Sequence, residues 1–315
     1  MASAAQVRAK FVKWGSILTT EKTRLFKIFP AISRQSAAKE FSALLTLDSA
    51  YPAVLDCLAD YPETGKMLLA ELVGREGGPM LLINLRKWFL DPICTAKKDQ
   101  QIGHFLNSLL FKLFNNPQDL ALRQVVYQQA STQLVEFLAK ADKVRPPRNL
   151  ADLERRLSLH GSLRCFAYFH KCLTENEPLC FMHVALSSGF IDRAKDLFTD
   201  GSLAQQISHP TVATFYSLNS PFVGLYGLAN FGRSLIIDVA NTLRQQHPTL
   251  ESFCTLSPIP GFSNWAKVMN NHESEKLPSL CRDYLNPDST TDPVARFHYR
   301  NGAKLRAVLL AADDR

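Results

Sequence analysis

The sequence predicts an α+β protein in which an N-terminal all-α helical domain precedes an α/β domain. Apolar residues recur at helical spacing from residue 7 to about residue 138, which predicts packed helices. Aromatic and β-branched runs separated by polar turns begin at residue 163, and such runs are typical of strands. Two prolines interrupt the segment 144–148 between these halves and favour an exposed connection. We therefore predict domains at 1–145 and 146–315.

The helical half is clearest in the segment 105–114. Its apolar residues form one broad helical face; they are Phe105, Leu106, Leu109, Leu110, Leu113 and Phe114. A second helix is predicted to start at Asn116 and run to about 138, because Asn caps helices and Pro117 suits a first turn. This half contains no group of residues typical of a catalytic site. We therefore expect it to have a structural role and to mediate assembly into a homo-oligomer.

The α/β half begins with a short helix at 150–157. Strands are predicted at 163–170 and 179–186, and the polar turn 174–178 between them indicates a hairpin. A third strand is predicted at 212–218.

A glycine-rich loop follows the third strand and precedes a predicted helix, 234 to about 246, and a fourth strand, 253–256. Glycines let the backbone approach a ligand closely, and the N–H groups at the start of a helix favour a phosphate. Arg233 would add a charged hydrogen bond. The glycine spacing matches neither of the common nucleotide-binding fingerprints, so phosphate binding and an ordinary loop both remain open on this evidence.

The composition is that of a globular protein, with 46% hydrophobic and 21% charged residues. No stretch reaches the roughly 18 consecutive apolar residues of a membrane span, so no membrane association is expected. The net charge of +7 fits an anionic ligand or solubility alone. Because the basic residues are scattered and form no nucleic-acid motif, nucleic-acid binding is not expected either.

The seven cysteines form no C-x-x-C pair, so we expect free thiols in a reducing compartment and no metal site. The first twenty residues carry Arg8, Lys10 and Lys13 without an acidic residue. This pattern fits a mitochondrial transit peptide or an ordinary basic helix. No Ser-Lys-Leu peroxisomal signal ends the chain, which leaves the mitochondrial matrix or the cytoplasm as the expected location.

Two strings carry a resemblance to a known family. The first is Leu-Ser-Pro-Ile-Pro-Gly-Phe at 256–262, which is followed by Trp265. The second is Asp-Pro-Val-Ala-Arg-Phe-His at 292–298, which is followed by Asn-Gly-Ala at 301–303. Both resemble the signatures of malonyl-CoA decarboxylases. Shorter matches lie at 153–157, 164–166, 177–179, 183–186 and 214–217. The resemblance is strong over about 150–304. In the helical half it is diffuse, and there the best match lies at 84–86.

This resemblance implies a GNAT-like acyltransferase fold for the α/β domain and the conversion of malonyl-CoA to acetyl-CoA and carbon dioxide, without metal or organic cofactor. It implies that Ser257 and His298 act at the malonyl group. The implied substrate-binding loop consists of Tyr226, Gly227, Leu228, Ala229, Asn230, Phe231, Gly232 and Arg233.

The chain departs from the family pattern in length. Only residues 266–291 separate the two signatures, and the chain stops at residue 315, so the resemblance implies an α/β domain truncated at its C terminus. Two hypotheses of different class follow. The first is a working decarboxylase, and the second is a non-catalytic acyl-CoA-binding or assembly protein derived from one. Fold analogy alone adds an acetyltransferase as a third.

Overall fold

A computed structural model of the chain describes residues 51–60, 62–94, 96, 98–193, 197, 207–268 and 277–309. The basic N-terminal segment, for which a transit peptide and an ordinary basic helix were both open, lies outside these residues. The chain divides into two compact units. The first, here called the helical unit, comprises Met1–Leu120, His170–Thr174 and Phe222–Asn230. The second, the sheet unit, comprises Ala121–Phe169, Glu175–Pro221 and Phe231–Arg315.

Helices dominate the described part of the helical unit. They are α1 (Tyr51–Asp60), α2 (Pro62–Leu72), α3 (Gly78–Leu90) and α4 (Gln100–Phe114). Asp99 caps α4 by accepting a hydrogen bond from the backbone N–H of Ile102 at 2.9 Å, which satisfies one otherwise unpaired donor of the first turn. Leu69, Leu85 and Leu106 are fully buried, so the helices share an apolar core.

The prediction of one helix from Asn116 to about 138 is wrong for the first half of this segment. Asn116 does act as a cap, since its side chain accepts from the backbone N–H of Gln118 at 3.2 Å, but only a single 3₁₀ turn follows. The chain then forms strand β1 (Leu120–Gln124), and helix α5 spans Thr132–Ala141. The backbone N–H of Val125 donates to the carbonyl of Cys165 at 2.8 Å. Pairing with the neighbouring strand therefore overrides the local helical pattern.

The remaining elements belong to the sheet unit. They are α6 (Leu150–Arg156), β2 (Leu163–His170), β3 (Cys180–Ser187), β4 (Val212–Asn219), α7 (Phe231–Gln246), β5 (Ser252–Thr255), α8 (Phe262–Val268), α9 (Leu277–Tyr284) and α10 (Pro293–Arg300). The four strands and the short helix predicted in this half are confirmed to within about one residue. Helix α7 starts at Phe231 instead of the predicted 234.

The five strands form one sheet in the order β1-β2-β3-β4-β5. The predicted hairpin is confirmed, because β2 and β3 pair antiparallel with Leu163 opposite Ala185. Strands β3 and β4 are also antiparallel, whereas β4 and β5 are parallel, with Thr214 opposite Cys254. A parallel pair needs a long crossover connection, and α7 lies within it.

The centre of the sheet is covered on both faces, since every residue of β2 and β3 is buried. On one face α5 and α6 pack through Leu138 and Leu153 against Cys165 and Phe181. All seven cysteines are free thiols. In the described part of the chain no helix is both long and apolar enough to cross a bilayer. No group of three or more metal-ligating side chains is found there either.

Candidate active site

Ser257 lies just after strand β5, in a segment that is fixed at its start. The backbone N–H of Leu256 donates to the carbonyl of Phe215 at 2.9 Å and so continues the pairing with β4. Pro258 and Pro260 follow, and each restricts the backbone to a narrow range of φ. The Ser257 side chain is therefore held at the carboxyl end of strand β5.

His298 lies in the last turn of α10. The start of this helix is fixed by Asp292, whose carboxylate accepts from the backbone N–H groups of Val294 at 3.0 Å and Ala295 at 2.9 Å. Pro293 occupies the first turn, where its missing N–H costs nothing. Asp292 is 1% exposed, so this cap is an internal part of the fold.

A small apolar cluster connects the Ser257 segment to α10. Its buried members are Cys281, Tyr284 and Leu285, against which Ile259 and Ala295 pack from the two sides. The burial of this cluster positions α10 against the segment that carries Ser257.

The structure brings Ser257 and His298 together. The Oγ atom of Ser257 lies 2.9 Å from Nε2 of His298, which is hydrogen-bonding distance. Burial lowers the pKa of His298 below its ordinary value of 6.5, because desolvation disfavours the imidazolium ion. In the free protein at neutral pH the pair is therefore a hydroxyl and a neutral imidazole, and either can donate, depending on the tautomer.

A cavity of about 250 Å³ opens beside this pair. Ser257 and His298 both line it, as do Thr255 and Ser217. Most of the wall is apolar and is contributed by Met182, Phe215, Leu218, Ile236, Val294 and Phe297. A few polar groups converging in an apolar cavity are typical of a small-molecule site. Nothing in the sequence distinguished these apolar residues from core residues.

Gly232, from the predicted substrate-binding loop, lies against the wall of the same cavity. A Cβ atom at this position would lie 3.2 Å from Leu218 Cδ2 and 3.8 Å from Phe297 Cζ. A side chain here would crowd Leu218 and would meet Phe297 at ordinary contact distance, and both residues line the cavity. The neighbouring Phe231 is half-buried and Arg233 is exposed.

The rest of the predicted loop, Tyr226 to Asn230, belongs to the helical unit. It follows a 3₁₀ turn at Val223–Leu225, and Gly227 has φ +75°, a left-handed conformation that glycine adopts without strain. Tyr226 and Asn230 are exposed, whereas Leu228 and Ala229 are half-buried.

A buried polar network beside the cavity was missed by the sequence analysis. Asp142, at the end of α5, accepts from the Ser217 hydroxyl and from the Asn219 amide, each at 2.9 Å. Its other carboxylate oxygen lies 3.5 Å from Arg156 Nη1 and 3.5 Å from His183 Nε2. Burial lowers the pKa of His183 to about 4, so this histidine is neutral at physiological pH.

The fold and this site define an α+β protein with a serine–histidine pair in an apolar cavity. The chain belongs to the malonyl-CoA decarboxylase family, because the family model described as the malonyl-CoA decarboxylase C-terminal domain matches residues 119–286. The matched range contains Ser257 and the loop Tyr226 to Arg233, and it ends before His298.

Two curated relatives are named "Malonyl-CoA decarboxylase, mitochondrial". The protein of Anser anser anser is 28% identical over 297 residues, covering 75% of this chain and 58% of the relative. The protein of Rattus norvegicus is 28% identical over 232 residues, covering 70% and 46%. The chain therefore spans about half the length of the curated relatives it matches.

The structure is similar to a crystal structure of malonyl-CoA decarboxylase from Agrobacterium vitis. The TM-score is 0.72 at 23% sequence identity, and the match covers 91% of this chain and 86% of that one. At this identity the likeness shows the fold. The α+β fold expected from the sequence is therefore confirmed.

Proposed function

We propose that this protein decarboxylates malonyl-CoA to acetyl-CoA and carbon dioxide. One observation carries the proposal: Ser257 and His298 form a hydrogen-bonded pair at the wall of an apolar cavity. The family membership supports the choice of substrate, and the names of the relatives give the same reaction.

The reaction needs a place for a negative charge and a source of one proton. The bond between C2 and the malonyl carboxylate breaks, carbon dioxide leaves, and the electron pair stays on C2 and the thioester oxygen as an enolate. A proton then adds to C2. Hydrogen-bond donors that are already in place stabilise the enolate, and each typically contributes on the order of 3 kcal/mol.

Ser257 suits the role of a hydrogen-bond donor to the carboxylate or the thioester oxygen of the malonyl group. Its hydroxyl lines the cavity, and the two prolines that follow restrict its movement. An acyl-serine intermediate is not part of this proposal, because decarboxylation requires no transfer of the acyl group to the enzyme.

His298 suits the role of the acid that protonates C2. The imidazole of the free protein is neutral, since burial lowers its pKa. A malonyl carboxylate in the cavity would favour the imidazolium ion, because a nearby opposite charge raises the pKa of a histidine. The proton would then be taken up with the substrate and delivered to C2 after carbon dioxide has left.

The apolar wall would favour the loss of carbon dioxide. A carboxylate is strongly hydrated, whereas the departing carbon dioxide and the delocalised enolate are less so. The side chains of Met182, Phe215 and Phe297 line the cavity and would replace part of the water around the carboxylate.

The proposal is tested by incubating the purified protein with malonyl-CoA and following acetyl-CoA formation. Turnover that is lost in His298→Ala supports it. Binding of malonyl-CoA without turnover in the wild-type protein would refute it in favour of the non-catalytic acyl-CoA-binding protein. Acetylation of an amine by acetyl-CoA would instead indicate an acetyltransferase.

We further propose that the protein acts in the mitochondrial matrix as a homo-oligomer assembled through its helical unit. The names of the relatives and the basic first twenty residues support the compartment. Imaging of a C-terminal fluorescent fusion tests the location, and light scattering on the purified chain tests the assembly. A cytoplasmic signal would reject the mitochondrial location, and a monomeric mass would reject the homo-oligomer.

A further inference from the structure

Arg86 of helix α3 lies beneath the start of the proposed substrate loop. Its Nη1 atom donates to the backbone carbonyls of Gly224 at 2.7 Å and Tyr226 at 3.0 Å. The side chain is 5% exposed. A buried guanidinium with fixed hydrogen-bond partners determines the backbone geometry around it, since hydrogen bonds from charged donors are the stronger kind.

The guanidinium is itself held in place. Its Nε atom donates to Oδ1 of Asn107 at 2.6 Å, so helix α4 fixes the orientation of the donor that reaches the loop. Arg86, Asn107 and the loop residues all belong to the helical unit.

Gly224, in the 3₁₀ turn that leads into the loop, provides a second, independent contact with α3. A Cβ atom at this residue would lie 1.9 Å from the carbonyl oxygen of Ile83, which is far inside contact distance. The backbone of this turn therefore lies directly on the helix, and Gly224 is required for this approach. The exposed residues Tyr226 and Gly227 follow after the buried Leu225.

We propose that Arg86 is a positioning residue for acyl-CoA binding: it holds the carbonyls of Gly224 and Tyr226 and thereby presets the loop that receives the coenzyme A moiety. This inference rests on the proposed function and extends it, because it assigns a residue outside the loop a part in acyl-CoA binding. A loop held in its binding conformation before the ligand arrives avoids the entropy cost of ordering on binding.

The experiment compares three variants of the full chain. Arg86→Met removes all donors, Arg86→Lys keeps the charge but loses the planar fork, and Gly224→Ala pushes the loop off α3 while leaving Arg86 in place. Two matched controls come from the same unit. Arg75→Met removes a more exposed arginine that lies 4.0 Å from Glu71, and Gly74→Ala adds a methyl group where no atom lies within 4 Å.

Titration calorimetry with coenzyme A is expected to give a Kd raised about tenfold or more in Arg86→Met and Gly224→Ala, with partial recovery in Arg86→Lys. KM for malonyl-CoA should rise in parallel, and kcat should stay within about threefold of wild type. Hydrogen exchange of residues 224–230 should be faster in these variants than in the controls. If Arg86→Met does not fold, the Kd values of Gly224→Ala and Arg86→Lys test the positioning role instead.

Suppose that the wild-type protein binds coenzyme A and turns over malonyl-CoA. An unchanged Kd for coenzyme A in variants that fold would then overturn the role of Arg86 and leave the proposed function intact. A drop in kcat with unchanged KM would also overturn it. If the wild-type protein neither binds coenzyme A nor decarboxylates malonyl-CoA, the proposed function fails, and the positioning role fails with it.

Discussion

Oγ of Ser257 lies 2.9 Å from Nε2 of His298, although 41 residues separate them in the chain. Each side chain is positioned by a different element, since Ser257 follows a strand and His298 lies on a helix. The buried cluster around Tyr284 packs against Ile259, two residues after Ser257, and against Ala295, three residues before His298. The pair is therefore a property of the tertiary structure, and it is the feature on which the proposed decarboxylation depends.

The first prediction concerns His298. If it supplies the proton for C2, His298→Ala should lower kcat about 10²–10⁴-fold, the usual contribution of a general acid. Acetyl-CoA formation measures the loss, and circular dichroism checks that the variant is folded. His209→Ala, which truncates an exposed histidine, is the control and should retain full activity. Equal turnover in the two variants would remove His298 from the mechanism.

The second prediction concerns Ser257. Loss of one preorganised hydrogen-bond donor should lower kcat about 10²–10³-fold in Ser257→Ala. Ser263→Ala, at an exposed position on α8, should behave as wild type. Because no acyl-serine is proposed, mass spectrometry during turnover should detect no covalent adduct. An adduct on Ser257 would contradict the proposed role of its hydroxyl.

The third prediction concerns pH. Burial lowers the pKa of His298 in the free protein below 6.5, and the proposed acid is the protonated form. The value of kcat/KM should therefore be highest below this pKa and fall as pH rises through it. In the substrate complex the malonyl carboxylate favours the protonated form, so kcat should fall at a higher pH than kcat/KM does.

Steady-state rates between about pH 5 and pH 9 measure both curves. The residual activity of His298→Ala should not fall with rising pH in this way. This comparison assigns the fall in the wild-type rates to the imidazole of His298. A value of kcat/KM that instead rises with pH through the same region would make His298 a base and contradict the proposed proton transfer.

The sequence predicted the sheet well because its strands carry a strong local signal. Strand β2 was placed correctly from the aromatic run 163–170, and the polar turn 174–178 indicated the hairpin. The segment 120–124 was placed wrongly because its apolar spacing fits a helix and a strand equally. Only its neighbour in the folded protein, the backbone of Cys165, decides between them.

The candidate site was only partly predictable. The resemblance indicated Ser257 and His298, and the structure adds the cavity beside them. Asp142 carried no signal, because its partners Ser217 and Asn219 lie 75 and 77 residues away. The role of Arg86 was hidden in the same way, since the carbonyls it binds lie 138 and 140 residues away. Contacts of this kind follow from the fold and not from local pattern.

The last prediction concerns the stability of the sheet unit. The carboxylate of Asp142 accepts hydrogen bonds from Ser217, Asn219 and the backbone N–H of Arg145. Asp142→Ala would take this buried acceptor away from all three donors, and of the two side chains only the Asn219 amide keeps a second bond, to the Ser217 hydroxyl at 2.8 Å. It would also remove a carboxylate facing Arg156, which pairs with Asp152 at 2.7 Å as well and donates to the carbonyl of Arg145 at 2.6 Å.

Each unpaired donor costs about 1–3 kcal/mol, but neighbouring losses are not additive. We expect the free energy of unfolding of the Asp142→Ala protein to fall by about 3–5 kcal/mol, as for other broken buried pairs. Urea denaturation followed by circular dichroism measures it, with Asp283→Ala, at an exposed site on α9, as the control. A change below about 1 kcal/mol would mean that water or a local shift replaces the carboxylate. Because Ser217 lines the cavity, a variant that folds should also raise KM for malonyl-CoA, whereas Asp283→Ala should not.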